Sequence, residues 1–262
     1  MEPFGNHPKP TLYPAPAKFD LRFEFLHIFL FVLGSIKDCS SVIQTAFSSL
    51  KGHQKWCKIL IDKIHIKPSI QYQGGHVVGF SDDQPEKAAK TVLSFMVSPL
   101  MGGPAFIARL IPVHSLNSEL MFDQINQLLK IIHDASGYVY LVMTDNFKAN
   151  QSLFKKMHDV YGSKTLWSVN HPVKNEEFEE LFMLYDPTHL LKNIRNNWVT
   201  EKTRCLKFVC PETGKNVVAK WSDLATIYKE EQSFILKQTH KITYASLYPT
   251  NFEKQKVFLV SF

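Results

Sequence analysis

Residues 181–198, Leu-Phe-Met-Leu-Tyr-Asp-Pro-Thr-His-Leu-Leu-Lys-Asn-Ile-Arg-Asn-Asn-Trp, contain both halves of a strand-to-helix unit. Five apolar residues run to Tyr185. Asp186 then offers a carboxylate to the unpaired N–H groups of a helix start, and Pro187 is pre-set for the first helical position. The pattern predicts a strand ending at Tyr185 and a helix from there to about Trp198. Upstream, Tyr138 to Thr144 (YVYLVMT) reads as a short, strongly apolar strand that stops at Asp145, with a helix over about 149–160 after it. Glu119 to Ile132 places Leu120, Ile125, Leu128, Leu129 and Ile132 at helical spacing. Lys58 to Pro68 (KILIDKIHIKP) is continuously apolar over Ile59 to Ile61, and Ile64 and Ile66 then alternate with Lys63, His65 and Lys67, as a largely buried strand would. Val77 to Phe80 and Ala105 to Val113 read as two more strands, with turns at Gly74-Gly75 and Gly102-Gly103-Pro104, so an antiparallel meander is expected. Before it, the stripe Val42, Ile43, Ala46, Phe47, Leu50 predicts an amphipathic helix with Ser40 or Ser41 as N-cap. Antiparallel neighbours first and helical crossovers later make an α/β layout.

Beyond Val199 the pattern changes. Leu206 to Trp221 (LKFVCPETGKNVVAKW) reads as two strands around a Pro-Glu-Thr-Gly turn, and Trp221 to Lys237 as a helix, together a second and incomplete unit. At the other end, residues 1–18 hold five prolines and read as an unstructured leader. Phe23 to Leu33 (FEFLHIFLFVL) is about half the ~20 residues a bilayer span needs, and a signal peptide led by Lys9, Lys18 and Arg22 is its rival reading, though no A-x-A-like cleavage site follows.

Composition sets the outer bounds. Of 262 residues 45% are hydrophobic and 13% aromatic, which excludes disorder as the main state, and 14 Pro with 11 Gly scattered throughout exclude a coiled coil. The net charge of +6 and a pI near 9.0 suit a polyanionic partner without deciding for one. Four cysteines without repeated spacing make no disulfide scaffold, so a reducing compartment is the default.

Several residues carry chemistry on this reading. Asp62 follows three apolar residues within a strand, and either faces solvent or needs a partner or metal. Asp145 ends a buried strand, where α/β sheets collect ligands or where a helix is capped. Asp186 and His189 share one side of a helix start, and for the pair alone capping with an ordinary histidine is the better account. Asp62 and Asp145 on central strands of one sheet suggest magnesium. Lys192 and Arg195 lie on a helix with two Asn residues, either a solvated face or a phosphate-contacting one. Gly214-Lys215 lacks the rest of a phosphate-binding loop, Cys205 and Cys210 would need two remote ligands to hold zinc, and no nucleophile elbow, H-E-x-x-H or dinucleotide fingerprint is present.

The run Tyr185 to Asn196 (YDPTHLLKNIRN) resembles the D-P-x-H-L-x-K-x-x-R-N stretch of P-element-type DNA transposases, the group that includes the THAP-domain transposases. Leu60-Ile61-Asp62 resembles the strand bearing that family's first catalytic Asp, Val77 to Phe80 its next strand, and Thr144-Asp145 through Asn150 the segment bearing the second. Pro249 to Lys254 (PTNFEK) is similar to the end of the family's GTP-binding insertion. The resemblance spans roughly Ile59 to Lys256. It implies an RNase H-like mixed sheet with flanking helices, interrupted by the insertion, that cuts and joins DNA with two Asp and one Glu holding Mg²⁺. Asp62 and Asp145 would be the first two catalytic and metal-binding residues, Asp186 and His189 the D-x-x-H signature, and Lys192 and Arg195 nucleic-acid contacts. The implied domains are a leader and apolar segment over 1–39, an RNase H-like part over 40–199, and the start of the insertion over 200–262. GTP as a ligand, DNA as a non-specific partner, self-association and a nuclear location, with the cytoplasm as alternative, are what the resemblance implies, and no membrane partner is expected.

Departures are visible too. Asp62 is followed by Lys63-Ile64 where the family usually has Glu-Met, and Asp145 by Asn146-Phe147 where a small residue is usual. Four scattered cysteines cannot form the C2CH zinc finger that reads DNA sequence in the THAP group. The chain stops at VFLVSF before the region expected to supply the catalytic Glu, while Glu176, Glu177, Glu179 and Glu180 read as a solvated acidic run. The expectation is a truncated transposase, inactive alone. Its rival is a non-enzymatic remnant of the same fold that binds nucleic acid or protein.

Overall fold

Alternation of buried and exposed side chains builds the central strand, β1 (Trp56–His65), in which Cys57, Ile59 and Ile61 are buried before Asp62 emerges into solvent. In the computed structural model the described residues are 39–103, 105–173, 179–200, 204–236 and 242–251. The Pro-rich leader, the apolar run at Phe23 to Leu33, Glu176, Glu177 and the last residues from Phe252 lie outside them.

β1 follows the amphipathic helix α1 (Ser40–Ser48), which begins at N-cap Cys39 and buries Ile43 and Phe47. After β1 the chain makes a small hairpin of β2 (Gln71–Gln73) and β3 (His76–Val78), then returns as β4 (Thr91–Pro99) antiparallel to β1 and as β5 (Phe106–Val113) antiparallel to β4. The meander was therefore expected one element too early. Val77 belongs to a two-stranded hairpin of its own and is exposed, whereas β4 takes the place beside β1. β4 escapes pattern reading because Thr91, Val92, Leu93, Ser94 and Phe95 are all buried, so the strand has a covered surface on both faces and no alternation.

Helix α2 (Ser118–Asp134) crosses over next, opened by Asn117, whose side chain accepts from Glu119 N at 2.8 Å. It buries Met121, Phe122, Ile125, Leu128, Leu129 and Ile132 and delivers the chain to β6 (Tyr138–Thr144), which pairs with β1 in parallel. Burying each such Leu or Ile contributes about 1.5–3 kcal/mol before chain entropy is set against it. A second crossover, α3 (Lys148–Tyr161), buries Leu153, Phe154 and Met157. The short strands β7 (Ser163–Thr165) and β8 (Ser168–Asn170) follow, and then β9 (Glu180–Tyr185), parallel to β6 and antiparallel to β8. The seven strands run in the order β5-β4-β1-β6-β9-β8-β7, a mixed α/β sheet with β1 and β6 at its centre and one core cluster joining Ile59, Phe95, Val142, Leu181 and Met183 to the buried faces of the helices. Arg109 of β5, itself buried, ties α2 to the sheet by donating to Gln124 and, at 2.8 Å, to Gln127.

Helix α4 (Pro187–Trp198) leaves β9 as its sequence predicts, with Asp186 as N-cap and Pro187 at its start. The antiparallel pair β10 (Cys205–Val209) and β11 (Asn216–Lys220) forms a sheet of its own, and α5 (Trp221–Glu231) and α6 (Tyr244–Leu247) follow. Trp198 donates from Nε1 to Ala219 O, and Trp221 packs edge-on against it while donating to Leu247 O. No helix among the described residues is long and apolar enough to cross a membrane.

Candidate functional site

Strand register brings three carboxylates to one edge of the sheet. Ile61 of β1 pairs with Thr144 of β6, and Thr144 pairs with Tyr185 of β9. The next residue on each strand is Asp62, Asp145 and Asp186, and Asp186 N extends the ladder by donating to Thr144 O at 2.7 Å. Asp145 and Asp186 stand just past the carboxyl ends of parallel neighbours, where the chain leaves the core for a loop or helix and a charged group regains water, while Asp62 is level with them inside β1, which runs on to His65 against β4. The position follows from the crossovers. α2 and α3 return the chain to the same sheet end each time, so strands far apart in sequence finish side by side.

Asp62 and Asp145 line one cleft together with Ile61, Lys63, Leu93, Leu116 and Asn150. Asp62 is exposed, and its Oδ1 accepts from Lys63 N at 2.7 Å. Asp145 is held more firmly. Its Oδ1 accepts from Phe147 N at 3.0 Å and from Asn150 Nδ2 at 2.7 Å, while Asn150 Nδ2 also reaches Asp145 O at 3.1 Å. Asp145 is not the N-cap of α3, a role taken by Phe147; its carboxylate instead folds the loop before the helix. Oδ2 faces Lys63 Nζ at 3.3 Å, and that ammonium lies 3.5 Å from the centroid of the Phe147 ring.

Lys63 and Asn150 had no role read for them in the sequence. A signal for Asn150 existed, since an amide five residues after Asp145, in the first turn of a helix, can reach back to the preceding loop. None existed for Lys63, because its contact crosses from β1 to β6.

Asp186 and His189 are brought together with each other and line a different part of the edge. Asp186 Oδ1 accepts from Thr188 N at 2.8 Å and Thr188 Oγ1 at 2.7 Å, which satisfies the start of α4, and Oδ2 lies 3.9 Å from His189 Nε2. The geometry is that of a helix cap with a loose second partner. Lys192 on the same helix is half-buried. Arg195 corrects the expectation of a phosphate-facing side chain: it is 2% exposed, with Nε and Nη2 donating to Asn196 Oδ1 at 3.2 and 3.0 Å. The helical face that carries it turns inward, leaving Leu191 and Ile194 exposed instead.

Among the described residues no group of three His, Cys, Asp or Glu side chains is placed to hold a metal ion, the region of Cys205 and Cys210 included. Burial pushes the Cys57 thiol up to about 12, which keeps it protonated and unreactive. What Asp62 and Asp145 do offer fits a hard divalent cation in kind: carboxylate oxygen donors, with the Asp145 carboxylate fixed by two hydrogen bonds.

Comparison with known proteins agrees with this architecture. Residues 32–158 match the family model of the TNP-like RNase H N-terminal domain. The fold is similar to that of a chain in the Drosophila P element transposase strand transfer complex, with a TM-score of 0.65 at 17% sequence identity, covering 91% of this chain and 49% of that one. The chain thus spans about half the length of the solved transposase chain it resembles. Among curated protein sequences nothing matches it.

Proposed function

For a chain whose residues 32–158 match the TNP-like RNase H N-terminal domain and whose fold is similar to that of a P element transposase, we propose a part in DNA transposition, with the carboxyl edge of the sheet as the place where DNA phosphates are handled. The observation that carries this reading is the adjacency of Asp62 and Asp145 on parallel neighbours, both lining one cleft. Mg²⁺ held there would stabilise the charge on the attacking and leaving oxygens of a phosphoryl transfer. Asp145 would meet it through Oδ2, with Phe147 N–H and Asn150 holding the carboxylate in orientation, and Asp62, exposed and adjacent, would supply the second oxygen. Two carboxylates bind Mg²⁺ loosely, since the ion keeps several waters and gives them up reluctantly.

DNA would be bound through its backbone and without sequence preference, using lysines such as the half-buried Lys192, and the working place would be the nucleus. With two carboxylates lining the cleft among the described residues, the chain should engage DNA without cutting it. The alternative, a non-enzymatic nucleic-acid-binding protein of the same fold, is favoured by one observation, the ammonium of Lys63 against Asp145. A nicking assay on supercoiled DNA with Mg²⁺ or Mn²⁺ tests this, run on the 262-residue chain beside Asp62→Asn and Asp145→Asn. Essentially no cutting is expected. Robust cutting lost in both variants would show that the chain completes an active site by itself.

A further inference from the structure

The cation position beside Asp145 is occupied by the chain's own charge. Lys63 extends from β1 across to the end of β6, where Nζ lies 3.3 Å from Asp145 Oδ2 and 3.5 Å from the Phe147 ring centroid. Ion pairing and the negative face of the ring act on the ammonium together, and the two side chains are only 17% and 19% exposed, so water screens the pair less than it would on an open surface. Oδ1 of Asp145 already accepts two hydrogen bonds, from Phe147 N–H and the Asn150 amide, and these use both of its lone pairs. Oδ2 is therefore the oxygen with room for a metal, and it is the one that Lys63 holds. A divalent ion reaching Oδ2 would face a positive charge a few ångströms away.

We propose that Lys63 is a resident counter-ion that competes with divalent metal for Asp145, so that the cleft takes a metal only when the lysine swings off Oδ2. This rests on the reading that Asp62 and Asp145 form the metal site, and adds a device that lowers its affinity in the resting chain. The four-carbon stem of lysine makes the exchange sterically easy, and the long side chain has an exit to water at the rim.

The test is direct metal binding by the full 262-residue chain. Mn²⁺ is titrated and its free concentration read from its electron paramagnetic resonance signal, for wild type, Lys63→Met, Lys63→Gln and Lys63→Arg, each with and without Asp145→Asn. Thermal melts identify any variant that does not fold, and the Gln and Met replacements, which differ in polarity, guard against loss of either one. Neutral replacements should bind Mn²⁺ about tenfold tighter or better, an effect of the size expected when a like charge is removed from a partly screened site. Lys63→Arg should stay as weak as wild type, and Asp145→Asn should abolish the gain. Unchanged or weaker Mn²⁺ binding in the neutral variants, with Asp145→Asn still lowering affinity, would overturn the role of Lys63 and leave the metal site standing. Absence of Mn²⁺ binding in every variant would overturn both.

Discussion

Asp83 illustrates how a single carboxylate fixes a loop away from the candidate site. Its Oδ1 accepts from His114 N at 2.7 Å, and its Oδ2 accepts from Ser115 N and Ser115 Oγ at 3.1 Å each, fastening the loop before β4 to the exit of β5. Burial alone would raise its pKa, but the hydrogen bonds from His114, Ser115 and Ser81 outweigh it and the value lies below the ordinary 3.8. With a folded-state pKa below the unfolded one, the stability Asp83 contributes is fully present above pH 4 or so and is lost as pH falls through the folded value. Asp83→Ala should cost about 1.5–3 kcal/mol at neutral pH, the range for hydrogen bonds to a charged group, and should flatten the fall in melting temperature below pH 4. Denaturant melts at pH 7 and pH 3 check both. An equal loss at both pH values would show that packing rather than the charge is responsible. Asp186 makes the same point in the candidate site. A carboxylate that looks chemical in sequence has one oxygen committed to Thr188, and its motif partner His189 stands 3.9 Å from the other.

Elements meet at this sheet under tight spatial limits, as the turn from α2 into β6 shows. A Cβ placed on Gly137 would come within 2.6 Å of the Phe47 ring and 2.7 Å of Ile132 Cγ2, so α1, α2 and the start of β6 converge on a position with no room for a methyl group. Both neighbours are buried and cannot move aside cheaply. Gly137→Ala should therefore destabilise by about 1–3 kcal/mol, the range for overpacking a filled core. Because β6 carries Asp145 at its far end, a shift of the strand should also disturb the ion pair with Lys63. Urea melts measure the first effect, and the paired variant Phe47→Leu, which opens space beside the glycine, should restore part of the loss. A full additive penalty in the double variant would show that the two positions do not compete for the same space.

On the scale of the whole molecule, the proposed role makes a statement about charge. A chain of net charge +6 with a pI near 9.0 that contacts phosphates through lysines should bind duplex DNA without sequence preference, with log affinity falling linearly as log salt rises. Lys192→Ala should lower the slope by about one and weaken all sequences alike, whereas Arg195→Lys should act through folding, because Arg195 is buried. Fluorescence anisotropy of a labelled duplex between about 50 and 200 mM salt reads both. Binding that ignores salt, or that Arg195→Lys weakens in a variant with an unchanged melting curve, would count against this assignment.

Local patterns carried much of the architecture. The apolar run at Ile59 to Ile61 with the alternation after it, the apolar run 138–144 and the Asp186-Pro187 helix start are decided by residues within a few positions of one another, so strand, strand and helix are legible in the chain itself, as is the likeness of residues 185–196 to a transposase motif. β4 was illegible for a physical reason, since a strand covered on both faces shows no alternation to read. Tertiary structure alone decided which charges meet. That Asp62 and Asp145 face one cleft depends on the β1–β6 register, that Lys63 rather than solvent faces Asp145 depends on a side chain crossing between strands about 80 residues apart, and that Arg195 turns inward depends on what α4 packs against. Such pairings are fixed by long-range packing of the sheet and its crossovers, and no window of sequence contains them.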